Sequence, residues 1–213
     1  MSQIAFIWDL DGTLLDSYGI IVNSVYETYT EFGIVLDKNL IRKEILDQTV
    51  GAFLSKMEAV TNISAETAKR RVSELNDKEK LNIKPMPNTE EILRWLDTRG
   101  IANYVFTHKG KSTEAVLKNL GIFDYFSDII SGKDGFPRKP DPSAINHLGG
   151  KYGLKKADTF YVGDRILDIE CANNAGIKSI LFTPPGSVVT TSGKETYVVN
   201  DLMDIREIVC ALM

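Results

Sequence analysis

Short, continuous runs of apolar residues recur along the chain, separated by segments with helical periodicity. The first run, Ile4–Trp8, ends in acidic and turn-forming residues. A continuous apolar run of this length is typical of a strand buried on both faces of a sheet. The later runs are Ala102–Phe106, Asp128–Ile130, Thr159–Val162, Ser179–Phe182 and Tyr197–Val199. Alternation of such strands with helices predicts the α/β class with a parallel sheet.

Helix boundaries can be located between these strands. Asn88 is placed to cap a helix, with Glu91 three residues later to return a capping-box bond and Gly100 to end it. Another helix is expected over Asp168–Ala175, ended by Gly176. The whole pattern predicts a Rossmann-like parallel sheet wrapped by helices.

One segment interrupts this alternation. Between residues 17 and 82 no strand pattern is present, and helical patterns cover Lys38–Asp47, Ala52–Val60 and Ser64–Glu79. We therefore expect a helical cap domain, residues 17–82, inserted after the first strand of a core catalytic domain formed by residues 1–16 and 83–213. Residues 15–17 and 82–87 are the expected linkers.

Composition restricts the partners. The 213 residues contain 25 Lys and Arg against 29 Asp and Glu, a net charge of −4, which gives no support to a nucleic-acid or anionic-membrane partner. No stretch approaches the ~18 apolar residues that a membrane span needs. Cys171 and Cys210 cannot form a disulfide framework, so we expect a cytoplasmic setting. The oligomeric state stays open.

Acidic residues follow the first predicted strand. Asp9 and Asp11 come at its carboxyl end, before Gly12-Thr13, and ligands bind at this edge of open α/β sheets. Side chains two apart on a strand point the same way, so both carboxylates are expected to face one site. The alternative is that the Asp-Gly pair only forms a turn.

A second acidic motif, GDRILD, spans residues 163–168. It places Asp164 at another strand end and Asp168 one helical turn later. Three carboxylates at strand ends make an oxygen-rich site for a hard cation such as Mg²⁺. For Asp168, a charge favoured by the helix dipole is an equal alternative.

Further residues suit a phosphate group. Thr107 follows a predicted strand and offers a hydroxyl and, with His108, backbone amides near a helix start. Lys139 is a positive charge just before a capped helix. For His108, simple loop packing is an equal alternative. Each signal is weak by itself, but their order along the chain is specific.

The ordered set DLDGT, Thr107, Lys139-Pro140 and GDRILD resembles the haloacid dehalogenase superfamily of hydrolases. The resemblance extends across the whole chain, because the helical insert is similar to that superfamily's small helical cap. It is closest to phosphoglycolate-phosphatase-like members, which often carry threonine-asparagine-lysine at the second motif. Here that motif is Thr107-His108-Lys109, a departure at the histidine.

The resemblance implies catalytic roles. Asp9 would attack phosphorus and form an aspartyl-phosphate, and Asp11 would protonate the leaving oxygen and then activate water. Thr107 would hydrogen-bond the phosphoryl group, with His108 near the phosphate. Lys139 would neutralise phosphate charge and hold Asp9 ionised.

The resemblance also implies a Mg²⁺ site. Asp9, Asp11 (through its backbone carbonyl) and Asp164 would bind the ion, and Asp168 would support these ligands from behind. Asp11 argues against dehalogenase and phosphonate-cleaving activity, because relatives with those activities lack an Asp at this position. A leaving group that needs a proton, as in a phosphate ester, is therefore favoured.

The expected cap contains candidates for substrate selection. Residues 48–52 separate two helical patterns, and in similar enzymes a glycine-containing loop near this place reaches the substrate. The candidates are Arg42, Lys43, Gln48 and Gly51. An ordinary turn between helices is an equal alternative.

We expect a Mg²⁺-dependent phosphatase acting on a small-molecule phosphate ester: phosphoglycolate first, then a nucleotide or a sugar phosphate. A phosphosugar mutase similar to β-phosphoglucomutase is one alternative, since mutases keep an Asp at position 11. A non-catalytic regulatory protein on the same fold is another, although binding alone has no chemical need for Asp11.

Overall fold

The computed structural model describes residues 4–213, so residues 1–3 of the expected core domain lie outside it. The chain divides into two compact units. The core unit contains the described residues up to Asp16 together with Lys84–Met213, and the helical unit is Ser17–Ile83.

Eight strands lie within residues 4–213. They are β1 Ala5–Trp8, β2 Leu15–Asp16, β3 Lys84–Pro85, β4 Ala102–Phe106, β5 Phe126–Ile130, β6 Thr159–Gly163, β7 Lys178–Phe182 and β8 Tyr197–Val199. Six of them form a parallel sheet in the order β5-β4-β1-β6-β7-β8. Every strand expected from the apolar runs is present, and the predicted fold class is confirmed.

Nine α-helices are found in the same part of the chain. They are α1 Tyr18–Glu31, α2 Lys38–Asp47, α3 Val50–Thr61, α4 Ala65–Glu79, α5 Thr89–Asp97, α6 Thr113–Asn119, α7 Ser143–Tyr152, α8 Ile166–Ala175 and α9 Ile205–Cys210. None of the helices between residues 4 and 213 combines the length and the apolar character that a membrane crossing requires.

The centre of the sheet explains both the apolar runs and the place of the site. All residues of β1 and β6 are buried, as expected for parallel strands covered on both faces. The chain runs from β1 through β4 to β5, returns to β6 beside β1, and continues through β7 to β8. The connections diverge between β1 and β6, and ligands bind at the carboxyl ends of such strands.

The helical unit has an apolar core of its own. Val25, Tyr29, Ile41, Phe53 and Val72 are buried within one cluster contributed by all four of its helices. The rings of Tyr29 and Phe53 meet edge to face, with centroids 6.4 Å apart, a favourable aromatic geometry. This packing explains why a segment without strand patterns forms a compact unit.

The segments predicted as linkers contain both boundaries between the two units, whereas the capping bond predicted for Asn88 is wrong. Part of the segments predicted as linkers forms β2 and β3, which pair antiparallel through Leu15–Pro85 and Asp16–Lys84 where the chain leaves and re-enters the core unit. Asn88 does precede α5, but its side chain makes no capping bond. Its amide instead donates to both carboxylate oxygens of Asp201, each at 2.8 Å. That partner lies 113 residues away, so local spacing gives no sign of it.

Candidate active site

Asp9 lies directly after β1, at the carboxyl edge of the sheet. Its amide donates to the carbonyl of Val162 at 2.9 Å, which fixes its backbone to β6. Only 2% of the residue is exposed. A buried carboxylate needs compensating charge or hydrogen bonds, so its partners define the site.

Lys139 is the first of these partners. Its Nζ lies 2.7 Å from Asp9 Oδ1 and 2.7 Å from Asp168 Oδ1. The rings of Phe106 and Tyr161 flank the ammonium, with centroids 5.4 and 5.2 Å from Nζ. Burial alone lowers the pKa of Lys139, but the carboxylates of Asp168 and Asp9 raise it above its ordinary value. Lys139 is therefore a permanent cation in this site.

His108 anchors the backbone that carries this lysine. The amide of Lys139 donates to His108 Nε2 at 2.8 Å. Burial, followed by repulsion from Lys139 and Arg138, lowers the pKa of His108 to about 2. The ring is consequently neutral, and because Nε2 accepts, we assign the ring proton to Nδ1. The histidine that departs from the family motif thus has a structural contact with the lysine of the third motif.

Three buried carboxylates converge at the strand ends. Ligand atoms of Asp9, Asp164 and Asp168 all lie within 4.8 Å of one another. The hydroxyl of Thr13 donates to Asp164 Oδ1 at 3.2 Å. The amide of Arg165 donates to Asp168 Oδ2 at 3.1 Å. These contacts fix the orientation of the acidic groups before any ligand arrives.

This cluster fits a divalent cation. Three carboxylates meet a single lysine ammonium here, and the guanidinium of Arg165 also acts on Asp168 and lowers its pKa. Burial is the main reason that the pKa of Asp168 is raised, while Lys139 lowers this pKa and Asp9 raises it further. Asp9 Oδ2 is also buried without a hydrogen-bond partner in residues 4–213. A small hard cation would satisfy this oxygen and balance the charge.

Asp11 is not a member of this carboxylate cluster. Its Oδ1 lies 2.9 Å from Lys109 Nζ, with 21% and 11% of the two side chains exposed. The two aspartates of the first motif therefore have separate lysine partners, Lys139 for Asp9 and Lys109 for Asp11. Lys109 had no predicted role, and its place in the second motif was the one sign of it in the sequence.

Thr107 lies where the sequence places it, directly after β4. Its amide donates to the carbonyl of Ile130 at 2.9 Å, and its Oγ1 accepts from the amide of Lys109 at 3.1 Å. The residue is 1% exposed. This bond uses the hydroxyl oxygen as an acceptor, so the hydroxyl hydrogen remains a donor for a ligand.

Gly163 was also missed as a site residue. A Cβ at this position would overlap with the Cβ, Cγ and Oδ2 of Asp168. The absence of a side chain at the end of β6 therefore allows Asp168 to reach the cluster. A glycine before an aspartate was visible in the sequence, but its steric reason requires the fold.

The candidates for substrate selection all lie in the helical unit. Arg42 and Lys43 are exposed on α2, and the Arg42 guanidinium lies 5.8 Å from the centroid of the Tyr18 ring. Gln48 ends α2, and Gly51 lies in the first turn of α3. Their role in substrate selection stays a prediction.

The fold and the site together define an α/β enzyme with an acidic, lysine-containing site at the carboxyl edge of its sheet. Residues 6–182 match the family model described as haloacid dehalogenase-like hydrolase, and the chain belongs to this family. The superfamily expected from the four motifs is confirmed.

Relatives of nearly the full length carry phosphatase names. The phosphoglycolate phosphatase of Vibrio parahaemolyticus is 30% identical over 220 residues, which cover 97% of this chain and 95% of the relative. The pyrophosphatase PpaX of Oceanobacillus iheyensis is 26% identical over 98% of each chain. A crystal structure described as a predicted phosphoglycolate phosphatase from Haemophilus somnus has a TM-score of 0.83 and 25% identity, covering 98% and 99% of the two chains. The expected class of enzyme, a phosphatase, is confirmed.

Proposed function

We propose that this protein is a Mg²⁺-dependent phosphatase that hydrolyses a small organic phosphate monoester through an aspartyl-phosphate on Asp9. The observation that carries the proposal is the Asp9 carboxylate, whose Oδ1 is paired with Lys139 and whose Oδ2 is buried without a hydrogen-bond partner in residues 4–213. A desolvated and oriented carboxylate of this kind suits covalent catalysis. The similarity to the Vibrio enzyme makes 2-phosphoglycolate the first candidate substrate, followed by nucleotides and sugar phosphates.

In the first step the Asp9 carboxylate attacks phosphorus, and the bond from phosphorus to the ester oxygen breaks. Asp11 donates the proton that the leaving oxygen needs. Lys139 and the hydroxyl of Thr107 offset the negative charge of the phosphoryl oxygens. These groups perform the positioning and charge stabilisation on which phosphoryl transfer depends.

In the second step Asp11 removes a proton from a water molecule. The water oxygen attacks phosphorus, the bond from phosphorus to Asp9 breaks, and inorganic phosphate leaves. Lys139 again balances the charge of the regenerated Asp9 carboxylate. Asp11 thus acts as an acid and then as a base, which returns the enzyme to its starting state.

Asp9, Asp164 and the backbone carbonyl of Asp11 are the proposed Mg²⁺ ligands. The bound ion would supply positive charge to the phosphoryl oxygens and help hold the group in line with the nucleophile. Asp168, which contacts Lys139 at 2.7 Å, keeps that lysine in place. Mg²⁺ suits the site because it prefers few carboxylates and completes its shell with water and substrate phosphate.

A screen of phosphate esters tests the proposal. Release of inorganic phosphate from 2-phosphoglycolate, nucleotides and hexose phosphates is measured with Mg²⁺, with Ca²⁺ and with a chelator. We expect Mg²⁺-dependent release, and its loss with Ca²⁺, which tolerates looser coordination. The variant Asp9→Asn should fold but lose turnover, while Asp16→Asn, the same change at an exposed position, should keep it.

The outcomes separate the alternatives. Phosphate release without a bisphosphate activator supports a phosphatase, whereas isomerisation of a hexose phosphate that requires such an activator identifies a mutase. Normal turnover in folded Asp9→Asn contradicts the nucleophile. Absence of hydrolysis of every ester in Mg²⁺ contradicts the proposed activity as a whole.

A further inference from the structure

The core unit holds a second lysine beside the proposed catalytic residues, and the mechanism above does not use it. Lys109 Nζ forms an ion pair with Asp11 Oδ1 at 2.9 Å. Lys139 is already engaged by Asp9 and Asp168, each at 2.7 Å, with its side chain fully buried. The two lysines therefore have different roles. Lys139 pairs with Asp9 and Asp168, and Lys109 pairs with Asp11.

The backbone of Lys109 is held at three points. Its amide donates to Thr107 Oγ1 at 3.1 Å. Its carbonyl accepts from the amide of Gly132 at 2.8 Å and from the hydroxyl of Thr113 at 3.2 Å. A Cβ at Gly132 would lie 2.7 Å from the carbonyl oxygen of His108, so the close approach of this loop requires a glycine. The ammonium thus projects from a fixed backbone.

The ammonium is also within reach of a ligand. The Lys109 side chain is 11% exposed and that of Asp11 is 21% exposed, whereas the Lys139 side chain is 0% exposed. A mostly buried ammonium needs a carboxylate partner, and a ligand carboxylate meets that need as well as the Asp11 carboxylate does. A ligand carboxylate can therefore replace the Asp11 carboxylate as the partner of Lys109 at small cost. The same exchange is not open to the buried lysine.

We infer that Lys109 is a specificity-determining residue that binds a second anionic group, carried by the leaving portion of the substrate. This inference rests on the proposed phosphatase function, because Asp11 is the group that serves the leaving oxygen. The anion takes the place of Asp11 on the ammonium, and Asp11 takes up a proton from solvent and turns towards the ester oxygen, to which it donates that proton. The substrate class is a phosphate monoester whose carboxylate or second phosphate lies one or two atoms beyond the ester oxygen, as in 2-phosphoglycolate.

Two matched substrates test this inference. 2-Phosphoglycolate carries a carboxylate, and 2-hydroxyethyl phosphate carries a neutral hydroxymethyl group in its place. The ratio of kcat/KM for the two compounds is measured in the wild type and in Lys109→Met. We expect the preference for 2-phosphoglycolate to fall about 10- to 100-fold, the range for loss of a charge-assisted hydrogen bond.

Two further variants control for charge and for folding. Lys111→Met makes the same change at an exposed lysine two residues away and should leave the ratio unaltered. Lys109→Arg keeps the positive charge and should keep most of the preference. Circular dichroism and thermal unfolding establish that each variant is folded.

An unchanged ratio in folded Lys109→Met overturns the inference, and so does an equal fall for both substrates, which would mean that Lys109 acts only through Asp11. If the wild type hydrolyses neither compound, the ester screen described above decides the proposed function, and calorimetric binding of both compounds decides the role of Lys109 separately. Preferential binding of 2-phosphoglycolate that is lost in Lys109→Met then supports the anion site. Equal binding overturns it.

Discussion

Replacing His108 with glutamine removes a buried titratable ring and keeps an acceptor for the amide of Lys139, which now donates to Nε2 at 2.8 Å. Burial and the nearby cations lower the pKa of His108 to about 2, from an ordinary 6.5. Below about pH 6.5 the unfolded chain therefore binds a proton that the folded protein does not. Because the pKa is lowered in the folded state, stability is lost as the pH falls.

The size of this loss follows from the two pKa values. In the unfolded chain His108 has its ordinary pKa of 6.5, and pH 5 lies about 1.5 units below that value. In the folded protein the ring stays neutral between about pH 7.5 and about pH 5. At about 1.4 kcal/mol per unit, His108 contributes a loss of about 2 kcal/mol in the free energy of unfolding. The loss continues to grow towards lower pH, because the folded ring stays neutral until about pH 2.

Urea unfolding of the wild type and of His108→Gln at both pH values, in metal-free buffer, measures this contribution. Carboxylates common to both proteins cancel in the double difference. We expect the wild type to lose about 2 kcal/mol more than the variant between about pH 7.5 and about pH 5. Equal losses in the two proteins would refute the idea of a buried, neutral histidine behind Lys139.

Other parts of the core unit give further predictions. Gly163→Ala forces a Cβ onto Asp168 and should lower the free energy of unfolding by about 1–3 kcal/mol and weaken Mg²⁺ binding in calorimetry. The control Gly150→Ala, with open space around a helical glycine, should raise stability by about 0.5–1 kcal/mol. Asn88→Ala loses the bonds to Asp201 and puts alanine at φ 65°, so urea unfolding should show it less stable than Asn88→Gly by about 1 kcal/mol.

Much of the fold could be predicted from the sequence, because a strand or helix is indicated by residues that are close together in the chain. A strand covered on both faces is mostly apolar, and Ala102–Phe106 has its predicted bounds in the structure. The edge strand Tyr197–Val199 also has its predicted bounds, although Val198 is 44% exposed. The α2 helix, Lys38–Asp47, was also predicted with its observed bounds. In each case the spacing of apolar residues within one short segment predicts the element and its bounds.

For the site, the sequence predicted which residues take part but not which of them contact one another. Asp9, Asp164 and Lys139 were selected because their motifs follow strands or precede a helix in a recognisable order. The sequence placed Asp11 beside Asp9 on one face, and the structure pairs it with Lys109 instead. The alternation of side chains along a strand predicts the face on which a side chain lies. It does not predict which residue from another strand becomes its ion-pair partner.

The sequence by itself determined a parallel α/β sheet, a helical insertion after the first strand and an ordered set of acidic and basic residues. Only the tertiary structure decided which of the two lysines meets which aspartate, and that Gly163 makes room for Asp168. The physical reason is that apolar periodicity encodes burial over a few residues. An ion pair such as Asp11–Lys109 joins residues 98 positions apart, and its geometry exists only once the strands that carry them lie side by side.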